Sequence, residues 1–447
     1  VKVNASEMNS RMGETIAGFP KLERASTNVR LPALGLAIRV GVTLALAWAA
    51  IVAARESFAA WESKIGTRES LAAAIRWAPD DAGNYAALAS LAELERSDER
   101  FAGATALFAR ATELEPRKAA LWLDLALAED EAGNLIESER DFLRARDLFP
   151  RSPAVNYSLG AFYLRQGRSE EALAALQIAI EGDAEVRPDA FGLVAGAGLP
   201  ANGVLAKMAP ADHDILLAYL DSLAAEGALD DAALVWNRLH ELGPVQPAEA
   251  FQYVQALITA QRASEARAVW ADVAPAGAIS STRNTGNLIY NGSFESPILE
   301  GGLDWHVLAV PGAYVELDSS VVHEGTQSLR IDFDPPGNIA YHHVLQFVPV
   351  EPDTEYEFSA YFRAKGVLSD SGPRFELTDE ANPQRLDILT SDVRETTPWT
   401  EVRSTFRTSP QTHILIVSIV RLASQSFDDR IGGTVWVDDV SLVRASN

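Results

Sequence analysis

The sequence predicts a multidomain α + β chain: an N-terminal apolar helix, an α-solenoid built of helix pairs, and a C-terminal all-β sandwich. Three observations carry this. Residues 31–54 are apolar apart from Arg39 and small polar positions. From Pro116 a pattern recurs at a spacing of 34 residues, Pro116 to Pro150. At that period each unit is two amphipathic helices that bury their apolar faces only by stacking on neighbours. From Asn287 onward the grammar changes to short alternating runs split by Gly, Pro, Asp and Asn, the pattern of a sandwich or barrel.

A chain of 447 residues is too long for one ordinary core, and its 47% apolar and 22% charged composition is that of a folded protein. The net charge is −24, unevenly placed. Residues 1–55 hold seven basic and three acidic side chains, so the remainder carries −28. An acidic body repels phosphates and argues against nucleic acid as a partner. With no cysteine, disulfides, thiolate metal sites and cysteine nucleophiles are excluded.

Residues 31–54 are long enough to span a bilayer, which takes roughly 20 helical residues. Arg39 lies about two turns from the start, where its head can snorkel to the interface. Basic residues precede the run (residues 1–30 form a basic tail), so the positive-inside rule puts the N-terminus in the cytoplasm and the bulk of the chain in the periplasm or outside the cell. An uncleaved single-pass anchor is the favoured expectation. A cleaved signal ending near Val52-Ala53-Ala54 and a buried core helix are the alternatives.

Residues 60–275 carry the helical pattern. After Pro116 come Trp122, Leu125, Gly133, Phe142 and Ala145; after Pro150 come Leu159, Gly160, Tyr163, Gly167, Ala172, Leu176 and Ala179. Pro79 to Pro116 is three residues longer, placing an insertion near Arg96–Gly103. Phe191–Pro210, rich in Gly and Ala, reads as a degenerate helix pair. Gly227, Ala232, Trp236, Leu239 and Pro244, then Ala266 and Trp270, restore the phase, giving about five repeats. This region resembles tetratricopeptide repeat (TPR) proteins. The resemblance implies a groove that binds protein partners. Family positions that grip acidic peptide tails with basic residues are here Asp124, Asn156 and Asp221, so a basic or apolar partner is expected. Trp122, Trp236 and Trp270 are expected in the core.

Residues 276–285 read as a linker and 286–447 as the β domain. Strands are expected at Ser328–Phe333, Tyr341–Val350, Glu355–Arg363, Arg374–Leu377, Glu401–Arg407, His413–Leu422 and Thr434–Val443. Alternation puts Tyr356, Phe358 and Phe362 on one face and Ser359, Tyr361 and Arg363 on the other. The stretches Asn287–Glu295, Val321–Ile331, Val350–Ala364 and Thr434–Leu442, with Trp305 between the first two, resemble carbohydrate-binding modules of the family 4/9/22 jelly-roll type. The resemblance implies glycan binding and a structural Ca²⁺, with Glu295, Glu324, Gln327 and Asp438 as the ligand set and Gly292 nearby. Hard oxygen donors of this kind suit calcium. A solvated Asp438-Asp439 bulge is the plain alternative. Sugar sites need aromatic platforms beside hydrogen-bonding groups. The candidates are Trp305, Tyr341, His343, Tyr361, Arg363 and Glu376. His342 and His343 are adjacent in a strand, so they are expected on opposite faces. The Asn291-Gly292-Ser293 sequon sits inside the opening motif and is read as structural.

No GxSxG, HExxH, P-loop or βαβ GxGxxG motif is present in the sequence, and a non-enzyme is expected. The leading expectation is a membrane-anchored extracytoplasmic scaffold. Its array binds protein and its jelly roll binds glycan, in cell-envelope polysaccharide assembly or export. The helical region also resembles TPR tails of bacterial polysaccharide polymerases and ligases. The alternative is a structural subunit of a larger membrane complex whose jelly roll contacts protein. A carbohydrate-active enzyme would need a catalytic domain that the motifs do not supply.

Overall fold

A computed structural model of the chain describes residues 31–94, 100–209, 211–275, 286–334, 337–424 and 430–445. The expected tail at 1–30 and the linker at 276–285 lie outside the described residues, as does the start of the expected insertion near Arg96–Gly103. Internal contacts divide the chain into two compact units that meet at Glu115 and Pro116.

The first unit begins with α1 (Leu31–Ile65), a single helix of 35 residues. It runs past the expected end at Ala54 because neither Gly nor Pro interrupts residues 42–65. Gly66, at φ +71°, ends it. One helix near the N-terminus is thus long and apolar enough to cross a membrane. Thr67 caps α2 (Arg68–Trp77), exchanging hydrogen bonds with Ser70. Asp81 caps α3 (Ala82–Glu93), and α4 (Arg100–Leu114) follows.

The second unit continues with helix pairs: α5 (Ala119–Glu131) with α6 (Leu135–Leu148), and α7 (Pro153–Arg165) with α8 (Ser169–Gly182). Gly133 and Gly167 sit at positive φ in the turns within these pairs. Gly160 lets α7 close on α8, since a Cβ there would come 2.6 Å from the Leu176 side chain. Phe142, Leu159, Phe162 and Ala172 fill the space between. The degenerate pair is present as two short helices, α9 (Arg187–Gly196) and α10 (Ala201–Lys207). Then come α11 (His213–Glu226), α12 (Leu229–Leu242), α13 (Phe251–Thr259) and α14 (Ala263–Val273). Trp236 and Trp270 are buried as expected, whereas Trp122 is half-buried, its Nε1 donating to the Pro116 carbonyl at 3.0 Å.

The β region is a sandwich of two antiparallel five-stranded sheets, a jelly-roll-like arrangement. Its strands are β1 (His306–Val307), β2 (Ala313–Asp318), β3 (Ser328–Phe333), β4 (Tyr341–Pro349), β5 (Glu355–Val367), β6 (Arg374–Asp379), β7 (Asp387–Leu389), β8 (Glu395–Arg407), β9 (Ile414–Arg421) and β10 (Gly433–Arg444). One sheet is ordered β1-β4-β9-β6-β7 and the other β2-β3-β10-β5-β8. All seven expected strands are present. β1, β2 and β7, all at sheet edges, were not foreseen. Tyr356, Phe358 and Phe362 are buried between the sheets, facing Phe375 and Val417.

The sandwich keeps its own core between the sheets, and the apolar cluster of the helices extends onto its surface. Tyr290, Leu303 and Ile414 belong to the apolar cluster of α8–α14, with Leu299 and Phe347 packed against it. The Trp270 ring lies on the backbone of Gly302 and the Phe251 ring on that of Gly301. Arg267 donates to the Pro349 carbonyl at 2.6 Å, and Gln261 donates to the Glu380 carboxylate. The docking segment 299–305 is folded around Asp304. This carboxylate is fully buried and accepts the Leu299 N–H at 2.6 Å, and burial pushes its pKa up to about 6.

Three outcomes are expected. Gly302→Ala introduces a methyl group against Trp270 at φ +61° and should cost about 2–4 kcal/mol, from overpacking and left-handed strain together. Denaturation of residues 116–447, followed by tryptophan fluorescence and far-ultraviolet circular dichroism, should give coincident transitions, and two separated ones would contradict a cooperative helix–sandwich interface. Asp304 has a folded pKa above its unfolded value. Its stabilising contribution is therefore present in full below about pH 4 and is lost as pH rises toward about 6. Asp304→Asn should accordingly raise the melting temperature at pH 8 relative to the wild type and bring little change at pH 4.

Candidate functional site

The turn 321–327 lies against the outer side of β10 and β5. Asp438 opens a bulge in β10, and Asp439 follows at φ +49°. The buried Asp438 Oδ2 accepts N–H groups from His323 at 2.9 Å and Glu324 at 3.3 Å, and Oδ1 accepts that of Asp439 at 2.8 Å. Burial, with some repulsion from Asp439, pushes its carboxyl up to about 7 despite these donors. Glu295 reaches the same turn from the opening motif. Its Oε1 accepts from Thr326 N at 2.8 Å and Gln327 N at 3.1 Å, and its Oε2 from the Thr326 hydroxyl at 2.5 Å. Burial works to raise the Glu295 carboxyl, but these bonds outweigh it and hold the group below its ordinary range.

The expected calcium ligands are thus drawn to one turn, but Glu295 and Asp438 already engage that turn's own N–H groups. Gly292 spends its carbonyl on the Val440 N–H. The trio whose ligand-capable atoms fall within 4.8 Å of one another, among the described residues, is His323, Glu324 and Asp439. His323 Nδ1 lies 2.7 Å from Asp439 Oδ2. The donor chemistry still suits a hard cation at Glu295 and Asp438. The latter is a buried carboxyl whose raised pKa reflects burial beside another carboxylate, and a positive charge there would reverse the shift.

The six sugar-site candidates do not converge. Trp305 and Tyr341 are fully buried and cannot meet a sugar. Trp305 stacks near Phe294 and donates Nε1 to the Asn291 carbonyl at 3.2 Å, so it is a core anchor of the opening motif. Asn291, buried and bonded both ways to Ser296, is structural as read. Tyr361 and Arg363 lie on the outer face of the β2-β3-β10-β5-β8 sheet. The Tyr361 ring is covered by His323, centroids 3.7 Å apart, and Arg363 sits 5.9 Å from the Trp436 ring. His343 and Glu376 lie on the outer face of the other sheet.

That other outer face mixes polar and apolar groups. Register sets His306, Leu345, Ser418, Glu376 and Leu389 side by side across its five strands. A bulge between Tyr341 and Val344 turns both of those residues inward. His342 and His343 therefore share the outward side instead of opposing each other as expected, and the His343 Nδ1 accepts the His342 N–H at 3.1 Å. His342 Nδ1 is 3.8 Å from Glu376. Burial, aided by His342, lowers the His343 pKa, and burial raises that of Glu376 against the pull of His342. Phe347 and Ile414, at one end of this face, are taken up by the helices. No Trp or Tyr of these five strands points outward among the described residues. Sequence reasoning missed His306, His342, Arg374 and Ser418 on this face. The signal for Ser418 was its polar break in an otherwise apolar strand.

Residues 286–421 match a family model described as a carbohydrate binding domain. The match takes in Asn287–Glu295, Val321–Ile331 and Val350–Ala364, three of the stretches that carry the resemblance. No curated protein sequence matches the chain. Among solved structures, a family 16 carbohydrate-binding module is 20% identical with a TM-score of 0.26, over 35% of this chain and 99% of that one. The CBM22-1 xylan-binding domain of Paenibacillus barcinonensis Xyn10C is 17% identical with a TM-score of 0.27, over 37% of this chain and all of that one. YrrB, a TPR protein with an unusual peptide-binding site, is 18% identical with a TM-score of 0.26, over 46% of this chain and 91% of that one.

The reassignment of the two buried aromatics has a direct check. Trp305→Ala should cost about 3–5 kcal/mol of stability, as for other core aromatics, measured by denaturant unfolding. Tyr341→Phe should leave stability unchanged or raised, because its buried hydroxyl has no hydrogen-bond partner among the described residues. A neutral Trp305→Ala would return that residue to the surface.

Proposed function

We propose that the protein is a membrane-anchored extracytoplasmic scaffold without catalytic activity. Its jelly-roll region binds glycan and its helical array binds protein, in the assembly or export of a cell-envelope polysaccharide. The observation that carries the glycan part is the match of residues 286–421 to a carbohydrate binding domain. The glycan face in this reading is the outer side of the β1-β4-β9-β6-β7 sheet, where His343, Glu376 and Ser418 supply hydrogen-bonding groups. The anchor part is supported by α1, whose span-length apolar segment is unburied. The array part is supported by the stacked helix pairs and by the TPR resemblance. A structural Ca²⁺ held by Glu295 and Asp438, with Glu324 and Gln327 beside it, belongs to the same proposal.

A second reading keeps the scaffold and replaces sugar with protein on the sandwich. The missing aromatic platform favours it, because sugar rings gain much of their affinity by stacking.

Affinity electrophoresis and a glycan array on the whole chain separate the two. Retention by an envelope polymer, reduced by His343→Ala and Glu376→Gln but not by Tyr361→Ala, is expected. No retention on any polymer would favour the protein-contact reading. Calcium at 100 times its Kd should add about 2.7 kcal/mol to the stability of the sandwich by linkage. Asp438→Asn should remove that gain, and a melting temperature indifferent to calcium and to EDTA would remove the ion from the proposal.

A further inference from the structure

α1 does not stop where its charge-free stretch stops. Between Arg39 and Arg55 lie 15 residues, about 22 Å of helix against roughly 30 Å of hydrocarbon. Arg55 therefore stands close to headgroup level in any register, and the helix continues unbroken to Ile65. Beyond Arg55, at about 100° per residue, Phe58, Trp61 and Ile65 fall on one side of the helix. They are 56%, 59% and 49% exposed. Helical side chains lean toward the N-terminus of their own helix, here the membrane side.

α2 folds back along α1 and returns the chain to the same level. Asp80 pairs with Arg55 at 3.1 Å, and Trp77 stacks on Phe58 with ring centroids 5.7 Å apart. Trp77 is itself 47% exposed. Phe58 and Trp77 therefore stand about 4.5 Å beyond Arg55 and Trp61 about 9 Å. The headgroup layer on each side of a bilayer is roughly 5–8 Å thick. Charge agrees. Residues 55–77 hold four basic and three acidic side chains, a net of +1 in a chain of −24. This hairpin is spared the acidity that would repel it from an anionic surface.

We propose that Phe58, Trp61, Ile65 and Trp77 form a second membrane contact. The patch beds in the headgroup–acyl boundary of the bilayer that α1 crosses, and it holds the α1–α2 hairpin against the membrane. The occupant is lipid because the patch continues the lipid-facing side of the same helix and is built of tryptophan and phenylalanine, which favour that boundary. The inference rests on the reading of α1 as a span.

The absence of cysteine makes the test clean. Single variants Trp48→Cys, Phe58→Cys, Trp61→Cys and Trp77→Cys of the full chain, each spin-labelled, are placed in liposomes of phosphatidylcholine and phosphatidylglycerol. Phe149→Cys serves as an exposed control. Collisions with oxygen and with a water-soluble nickel chelate report depth. The expected result is position 48 in hydrocarbon, positions 58 and 77 at headgroup level, and position 61 shallower but still shielded from nickel. A label at Ile65→Cys, in a Phe58→Ser, Trp61→Ser, Trp77→Ser background that keeps its helical circular dichroism, should gain nickel accessibility toward the control value. Nickel accessibility like the control at 58, 61 and 77, with position 48 in hydrocarbon, would overturn the second contact and leave the span. An aqueous position 48 would overturn both. Shielding of 58, 61 and 77 from oxygen and nickel alike would assign the patch to a protein partner and overturn the lipid proposal.

Discussion

Trp270 rests on the bare backbone of Gly302, and the second unit depends on that contact. Helix pairs and sheets each present one apolar face that needs a cover. At its far end the helical array would expose Phe251 and Trp270, and at its near end the sandwich would expose Tyr290, Leu303 and Phe347. Setting these against each other removes both apolar faces from water at once, and only glycine at 301 and 302 lets the rings come that close. Position of the sandwich relative to α14 is therefore set by packing, not by the length of the connecting segment. The Arg267–Pro349 and Gln261–Glu380 hydrogen bonds then fix the rotation about that contact.

This arrangement also shapes the sheet face assigned to ligand. The helices take one end of the β1-β4-β9-β6-β7 outer face, using Phe347 and Ile414. What is left is a strip between the docked helices and the bulge at His342 and His343, where His306, Ser418 and Glu376 are interspersed with Leu345 and Leu389. Under the proposed reading, recognition there would rely on directional hydrogen bonds from its polar groups. Such bonds discriminate by leaving a buried partner unsatisfied when the wrong ligand enters.

Much of the architecture was legible because it follows from period alone. The 34-residue spacing placed the helix pairs, and alternation in Ser328–Phe333 and Tyr356–Phe362 placed strands and their inward sides. The site was less legible because side assignment in a strand fails at a bulge. One extra residue at His342–His343 sent both histidines outward and Tyr341 inward. Trp305 looked like a platform only because aromatic character does not distinguish a core anchor from a surface one. Trp270 fits the helical repeat so well that its second contact, on Gly302, left no separate trace. The convergence of Glu295 and Asp438 on one turn was readable from motif likeness. Their capture by that turn's N–H groups was not, since no residue type encodes it.

Both sheets end in strands that resist extension. β1 and β7 have two and three residues, too few to template a neighbour. β8 is long at thirteen, but Pro398 removes a donor from its free edge, and Glu401, Arg403 and Arg407 line it with charge. β2 offers only six residues, with Glu316 tied to Arg330 at its centre. A sandwich with such borders does not zip edge to edge into fibrils when many copies are crowded together. If the proposed glycan binding holds, local concentration can then be raised to gain avidity for a repetitive polymer without the usual penalty of aggregation.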